Sequence, residues 1–124
     1  MMFVLSLPWP PSANNLYPTS RTGIRFLSSD GKKYHAEVHA RVLEQLRTYP
    51  RLEGRLAVTL VCNPPDKRRR DLSNVEKAVG DALTKANVWL DDSQIDDLRI
   101  VRDVTLTGGR VVVTITELPA ERAE

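Results

Sequence analysis

Residues 56–86, LAVTLVCNPPDKRRRDLSNVEKAVGDALTKA, contain a change of hydrophobic period that decides the fold. The first seven are apolar or β-branched and stop at Asn63-Pro64-Pro65, which predicts a strand over residues 56–62. From about residue 74 to residue 86 the apolar side chains instead follow one helical face, at Val75, Ala78, Val79, Ala82, Leu83 and Ala86. This stretch therefore predicts a strand followed by a helix.

The preceding residues predict a strand and a helix of their own. Residues 2–7 are apolar and end at a proline cluster, which indicates a first strand, and residues 8–17 then predict an irregular loop. Over residues 33–47 the apolar side chains recur every four positions, and Ser28, Ser29 or Asp30 can cap the entry, which predicts the first helix.

Two further strands are predicted after the second helix, over residues 98–106 and 110–117. Thr107-Gly108-Gly109 between them is a hairpin signal. We therefore expect an α/β (α+β) fold, a small mixed β-sheet with two helices packed on it.

Length and composition predict one ordinary globular domain over residues 1–124, with residues 118–124 as a frayed tail. The chain has 124 residues, of which 41% are hydrophobic and 27% charged. No apolar run approaches the roughly 18 residues of a membrane span, and the only cysteine is Cys62. We therefore expect a cytoplasmic protein that does not contact a membrane.

The charge is distributed unevenly along the chain. Residues 1–70 contain 12 Lys and Arg against 5 Asp and Glu, whereas residues 71–124 contain 6 against 11. A basic half suggests a polyanionic partner, and clustered carboxylates suggest a place for hard cations.

The basic residues concentrate in Lys67-Arg68-Arg69-Arg70, between the end of a predicted strand and the start of a predicted helix. Such cations beside a helix N-terminus suit contacts to phosphates, although a solvated basic loop is the alternative. Ser73 and Glu76 fit a capping box, with Ser73 as the N-cap. The acidic residues concentrate in Asp91, Asp92, Asp96 and Asp97.

This acidic run has two interpretations. It is either a solvated turn, or it returns through a strand–helix–strand unit to Asp71 and forms a site for Mg²⁺ or Mn²⁺ and a phosphodiester. His35 and His39 lie four apart but lack the H-E-x-x-H pattern of a zinc site. Trp9 and Trp89 either stack on bases or pack inside the protein.

Four blocks of the chain together resemble a known family. They are LPWPPSANN at residues 7–15, RRRDL at 68–72 with Asn74 and Lys77, DALTKA at 81–86 with WLDDSQ at 89–94, and GGR at 108–110 with TITE at 114–117. In this arrangement the sequence resembles the RusA-type Holliday-junction resolvases over nearly its whole length.

The resemblance implies a homodimeric endonuclease that binds four-way-junction DNA and nicks two opposing strands with Mg²⁺, for which Mn²⁺ substitutes. It implies Asp71, Lys77 and Asp92 as catalytic residues and Asp71, Asp92 and Asp91 as metal ligands. It also implies that Ser73 replaces a family carboxylate. The implied DNA contacts are Lys67, Arg68, Arg69, Arg70 and Asn74.

Two other functions remain open, the first of them because of the Ser73 difference. One is a junction-binding protein with weakened catalysis, and the other is a nuclease that acts on other branched DNA, such as flaps and forks.

Overall fold

Four strands form one mixed sheet in the computed structural model, which describes residues 1–120 apart from the side chains of residues 13 and 14. The strands are β1 (Met2–Leu7), β2 (Leu56–Asn63), β3 (Ile95–Arg102) and β4 (Arg110–Glu117). Their order in space is β1-β4-β2-β3. β2 and β3 are parallel, and β4 is antiparallel to both β1 and β2, so the predicted mixed sheet is confirmed.

The predicted hairpin between the last two strands is wrong, because β4 inserts between β1 and β2. Alternate side chains of β4, namely Val111, Val113 and Ile115, are fully buried, which suits a central strand. β3 carries Asp96, Asp97 and Arg99 and lies at the edge, where charged side chains remain in water. β3 also spans residues 95–102 instead of the predicted 98–106.

Two long helices, α2 (Ser29–Leu46) and α3 (Leu72–Lys85), follow a short helix α1 (Ala13–Leu16). α2 begins four residues before its predicted start, where the Ser28 hydroxyl accepts the Gly31 N–H at 3.0 Å. α1 falls within the segment predicted to be an irregular loop, because a single turn is too short to show a helical period.

Both long helices pack on one face of the sheet. The predicted stripe of α3 is buried throughout, and α2 contributes Tyr34, Val38 and Val42 to the same core. One row of β2, which is Leu56, Val58, Leu60 and Cys62, meets them from the sheet. The two predicted helices and their packing are therefore confirmed.

β2, α3 and β3 form the expected strand–helix–strand unit with parallel strands. After β4 the Leu118 N–H donates to the Arg55 carbonyl oxygen at 2.9 Å, which ties the first residue of the predicted frayed tail to the residue before β2. Residues 121–124 of that predicted tail lie outside the described residues. No helix in the described part of the chain has the length and apolar character needed to cross a membrane.

Candidate nucleic-acid interface and acidic cleft

The basic residues gather at one end of the sheet, which we call the basic end. β2 ends at Asn63 and β3 at Arg102, while β4 begins at Arg110, and the strand register places these three positions side by side. The loop from β2 to α3 continues from the same end and carries Lys67, Arg68, Arg69 and Arg70.

Arg70 makes contacts within the protein that the neighbouring cations do not make. Its Nη1 lies 2.8 Å from Asp66 Oδ1, and its guanidinium carbon lies 5.8 Å from the centre of the Trp9 ring. The hydrogen bond from Arg70 also lowers the pKa of the Asp66 carboxyl. Arg102 Nη2 donates to the Arg70 carbonyl oxygen at 2.7 Å, which ties this loop to the end of β3.

Lys67, Arg68 and Arg69 are exposed, in contrast to half-buried Arg70. The Arg68 side chain is 83% exposed, and its Nε is 3.7 Å from Asp66 Oδ2, so this ion pair is weak. Asn74 is also exposed, on the first turn of α3. These four side chains, which are among the predicted DNA contacts, are therefore accessible from solvent.

A first cleft of about 570 Å³ opens beside them. Asp71 lines it and is the N-cap residue of α3, where its side chain makes no capping hydrogen bond. The carboxylate is thus exposed next to cations and a helix N-terminus. The other lining residues are Trp9, Pro10, Pro11, Ser12, Arg68, Arg69, Arg70, Asn74 and Val75.

The predicted capping box at Ser73 is wrong. α3 begins at Leu72, so Ser73 is its second residue and not its cap. Glu76 does not reach back, because its Oε1 lies near Gly80, 3.7 Å from where a Cβ would stand. Burial, and then the charges of Asp92 and Asp81, raise the pKa of Glu76.

A second cleft of about 370 Å³ contains the other predicted carboxylates. Asp91 and Asp92 both line it, together with residues from α3, from α2 and from the segment before α2. Those residues are Tyr17, Leu27, His35, Asp81, Thr84 and Lys85. The structure thus brings Asp91 and Asp92 together but places Asp71 in the first cleft.

Lys77 lies on α3 between residues 74–75, which line the first cleft, and Asp81, which lines the second. Its Nζ is 5.9 Å from the centre of the Tyr17 ring, and the Tyr17 hydroxyl donates to Asp81 Oδ2 at 2.5 Å. Tyr17 therefore contacts both Lys77, the predicted catalytic lysine, and Asp81 of the second cleft. Our sequence reasoning missed Tyr17, because 64 residues separate it from Asp81 and no local pattern marks it.

A 3₁₀ turn at Asp92–Gln94 presents Asp92 to solvent. Gln94 Oε1 accepts the N–H groups of Leu90 and Asp91, each at 2.8 Å, and its Nε2 donates to the carbonyls of Leu52 and Gly54. The Ser93 hydroxyl donates to the Asp91 carboxylate and lowers its pKa. Gln94 three places after Asp91 was a detectable signal for this turn.

The two tryptophans differ in role. Trp89 is 1% exposed, and its Nε1 donates to Thr84 Oγ1 at 2.7 Å, so it packs inside the protein. Trp9 is half-buried and contributes one wall of the first cleft. Only Trp9 is therefore available to a ligand at this end.

Asp71, Asp91 and Asp92 supply the carboxylate oxygens that Mg²⁺ prefers. Within residues 1–120, however, no three acidic, histidine or cysteine side chains lie close enough to hold a metal ion. The residues fit the open type of magnesium site, in which one or two carboxylates act together with substrate phosphates.

Comparison with known proteins finds similarity along most of the chain. A model of the family described as endodeoxyribonuclease RusA matches residues 8–116. The crossover junction endodeoxyribonuclease RusA of Escherichia coli (strain K12) is 42% identical over 119 residues, 96% of this chain and 98% of that protein. The protein of that name from Enterobacteria phage 82 is 43% identical over 117 residues, 94% of this chain and 96% of that protein. The one from Shigella sonnei (strain Ss046) is 41% identical over 119 residues, with 96% and 98% covered.

Proposed function

Because this chain belongs to the RusA family of endodeoxyribonucleases, we propose that it is a crossover junction endodeoxyribonuclease, which resolves four-way DNA junctions by paired nicks. The observation that carries the proposal is the position of α3, whose first turn meets the basic end and whose later turns line the acidic second cleft. One helix thus connects a surface suited to phosphates with carboxylates suited to a hydrolytic reaction.

Lys67, Arg68, Arg69 and Asn74 bind phosphates and set the position of the DNA without reading its sequence. Arg70 contributes mainly by holding this loop against Trp9 and Asp66. Because four-way junctions differ from linear DNA in shape and not in composition, contacts of this type suit a structure-selective enzyme.

We further propose that nicking requires Mg²⁺, with Mn²⁺ as a substitute, which carboxylates from Asp71, Asp92 and Asp91 would hold together with the phosphates of the bound DNA. When bound, such an ion polarises a phosphodiester and lowers the pKa of a water molecule. Lys77 stabilises negative charge on the reacting phosphate, and Tyr17 limits its movement from the side of the second cleft.

Two opposing strands must be cut, and we propose that a homodimer presents one site to each of them. Analytical ultracentrifugation at micromolar concentration tests this proposal. A protein that remains a monomer both alone and on junction DNA contradicts it.

The central experiment compares cleavage of a labelled mobile four-way junction with cleavage of a flap, a fork and a linear duplex of the same sequence. We expect paired nicks in the junction with Mg²⁺ or Mn²⁺ and none with a chelator. Equal cleavage of flaps and forks indicates a broader branched-DNA nuclease. Junction binding without nicking in either metal indicates the weakened binding protein that the Ser73 difference suggests.

Variants assign the roles. Asp71→Asn and Asp92→Asn should each abolish nicking and preserve junction binding, because each keeps its size and loses one negative charge. Lys77→Ala should slow nicking with a smaller loss of binding. Asp97→Asn is the matched control, since Asp97 is an exposed acid on the edge strand outside both clefts.

A further inference from the structure

Residues 103–109, here called the crossing loop, pass over the end of β2 at the basic end. The loop is fixed by hydrogen bonds to β2 and the residues that follow it. The Asp103 N–H donates to the Cys62 carbonyl and the Leu106 N–H to the Pro64 carbonyl, each at 2.8 Å. The Asn63 side chain, 3% exposed, donates to the Val104 carbonyl at 2.9 Å.

The far end of the crossing loop is equally constrained. The Gly109 N–H donates to the Leu106 carbonyl at 2.7 Å, and Gly109 contacts the Trp9 side chain so closely that a Cβ would stand 2.6 Å from Trp9 Cβ. The loop is therefore a rigid support, although it contains no helix or strand.

This rigid loop exposes two aliphatic side chains. Val104 is 73% exposed and Leu106 is 41% exposed, while the chain on either side of each is hydrogen-bonded to the protein. Single exposed apolar side chains are ordinary in folded proteins, whereas apolar surface rimmed by polar residues marks an interaction site.

The charges around the crossing loop indicate what kind of partner this is. Arg102 and Arg110 flank the loop directly, and Arg102 is hydrogen-bonded to Arg70. Arg41 and Glu44, which pair with each other at 3.3 Å, line a shallow pocket beside Leu106. At the basic end as a whole six cations outnumber three carboxylates, namely Lys67, Arg68, Arg69, Arg70, Arg102 and Arg110 against Asp66, Asp71 and Asp103.

We propose that Val104 and Leu106 form an apolar wedge that contacts exposed base faces at the branch point of the junction while the flanking cations hold the phosphates. Aliphatic wedges between base steps are an established means of unstacking DNA, and unstacking costs least where pairing is already interrupted. The wedge therefore favours branched over linear DNA. This proposal rests on the proposed junction function.

A second copy of the chain is the other possible occupant of this surface. Two basic ends that face each other bring like charges together, which opposes association in low-dielectric contact. Nucleic acid, in contrast, supplies the negative charge that the surrounding cations require. The charges therefore favour DNA.

The test combines binding with a base-stacking probe. The variant Val104→Ser/Leu106→Ser should lose about tenfold in affinity for a four-way junction, equivalent to about 1.4 kcal/mol, and little for linear duplex. Junctions with 2-aminopurine beside the branch point should brighten with the wild type and remain dim with the variant. Val104→Ile/Leu106→Met should restore both signals, because it keeps an apolar surface.

Leu43→Ser is the matched control, since Leu43 is 46% exposed on α2 and is not part of the basic end. An equal loss in that control, or wild-type junction preference and fluorescence in the double variant, overturns the wedge. Loss of a wild-type dimer in the double variant also overturns it and assigns the surface to an interface between copies. If the wild type itself shows no preference for junctions, the proposed function fails first, and the wedge fails with it.

Discussion

Gly109 is the residue at the basic end where a side chain is least compatible with the backbone. Its φ of +76° lies in the left-handed region, and a Cβ at this position would stand 2.6 Å from Trp9 Cβ. Gly108 has a similar φ of +86°, but nothing lies within 4 Å of where its Cβ would stand. A side chain at Gly108 would therefore cause backbone strain alone, whereas a side chain at Gly109 would cause backbone strain and a steric clash with Trp9.

We expect Gly108→Ala to lower the free energy of unfolding by about 1 kcal/mol, because left-handed backbone costs an L-residue roughly that much. Gly109→Ala should lower it by about 3 kcal/mol, since overpacking against Trp9 adds to the same strain. Urea denaturation measures both values. Equal losses contradict close packing of the crossing loop on Trp9.

His35 is a second residue whose environment is distinctive. Burial lowers the pKa of its imidazole below the ordinary value of 6.5, against the opposing charge of Asp81. Its Nε2 is buried, and within the described residues it has no hydrogen-bond partner. The folded state therefore favours the neutral form of the His35 imidazole.

The pH dependence follows from this lowered pKa. Below pH 6.5 the unfolded chain binds a proton at His35 before the folded protein does, so stability present at higher pH is lost as the pH falls through the folded-state pKa. Glu76, with its raised pKa, acts in the opposite direction as it gains its proton. We expect His35→Gln to flatten the decline in unfolding free energy between about pH 7 and pH 5. His39→Gln, one turn along α2, is the control, and an unchanged slope in His35→Gln contradicts the prediction.

At the scale of elements, the turn around Asp92 depends on one buried amide. Gln94 satisfies four backbone groups while only 7% exposed. Gln45 provides a natural comparison, because it also bonds backbone, the N–H and carbonyl of Ser6, but in an exposed position.

Gln94→Ala should lower the free energy of unfolding by about 3 kcal/mol, since it leaves buried donors and acceptors without partners. Gln45→Ala should cost about 0.5–1 kcal/mol, because water replaces the lost bonds. Chemical denaturation of both variants measures the difference. Nicking by Gln94→Ala should fall as well, because Asp92 loses its support, and an unchanged rate would show that the turn does not position this carboxylate.

The start of α3 is the other element in which the structure changes an expectation. Ser73 lies in the first turn and not at the cap, so Ser73→Ala should change stability by less than about 0.5 kcal/mol. Ser73→Asp should stabilise the helix by about 0.3–1 kcal/mol, through its charge at the positive helix end. Thermal unfolding of the two variants checks both values, and a large loss in Ser73→Ala would restore Ser73 as a cap.

Local sequence patterns predict most of the helices and strands, but they do not predict the order of the strands in the sheet. β1 and β4 have the predicted bounds, because short apolar and β-branched runs that end near prolines or glycines carry a local signal. The pairing of β4 with β1 joins residues more than 100 positions apart, as in Met2 with Thr116, and no turn motif encodes it. Tyr17 beside Asp81 was hidden for the same reason, whereas the basic block and the acidic run were visible as local clusters.

At the scale of the whole molecule, the exposed cations at the basic end determine how binding responds to salt. Each phosphate contact releases counterions, so affinity should fall linearly on logarithmic axes. Arg68→Ala and Arg69→Ala should each reduce the slope by about 1, on junction and duplex alike. Fluorescence anisotropy measures these slopes in titrations between about 50 and 300 mM salt, a range over which the Debye length shortens steadily.

Arg70→Ala should behave differently from its two neighbours. It removes the contacts to Asp66 and Trp9 as well as a charge, so thermal stability should fall together with the slope. If Arg70→Ala changes only the slope, its internal contacts contribute nothing to the fold.

The strand order also constrains how the chain folds. β1 is the first strand along the chain, yet its neighbour in the sheet is β4, the last strand of the described chain. A nascent chain that has not reached Arg110 can build β2, α3 and β3 as a local unit, but it leaves β1 unpaired. Long-range pairing of this kind slows folding, because the entropy of closing a large loop is lost before the contacts form. Synthesis of residues 110–117 is therefore the event that completes the sheet.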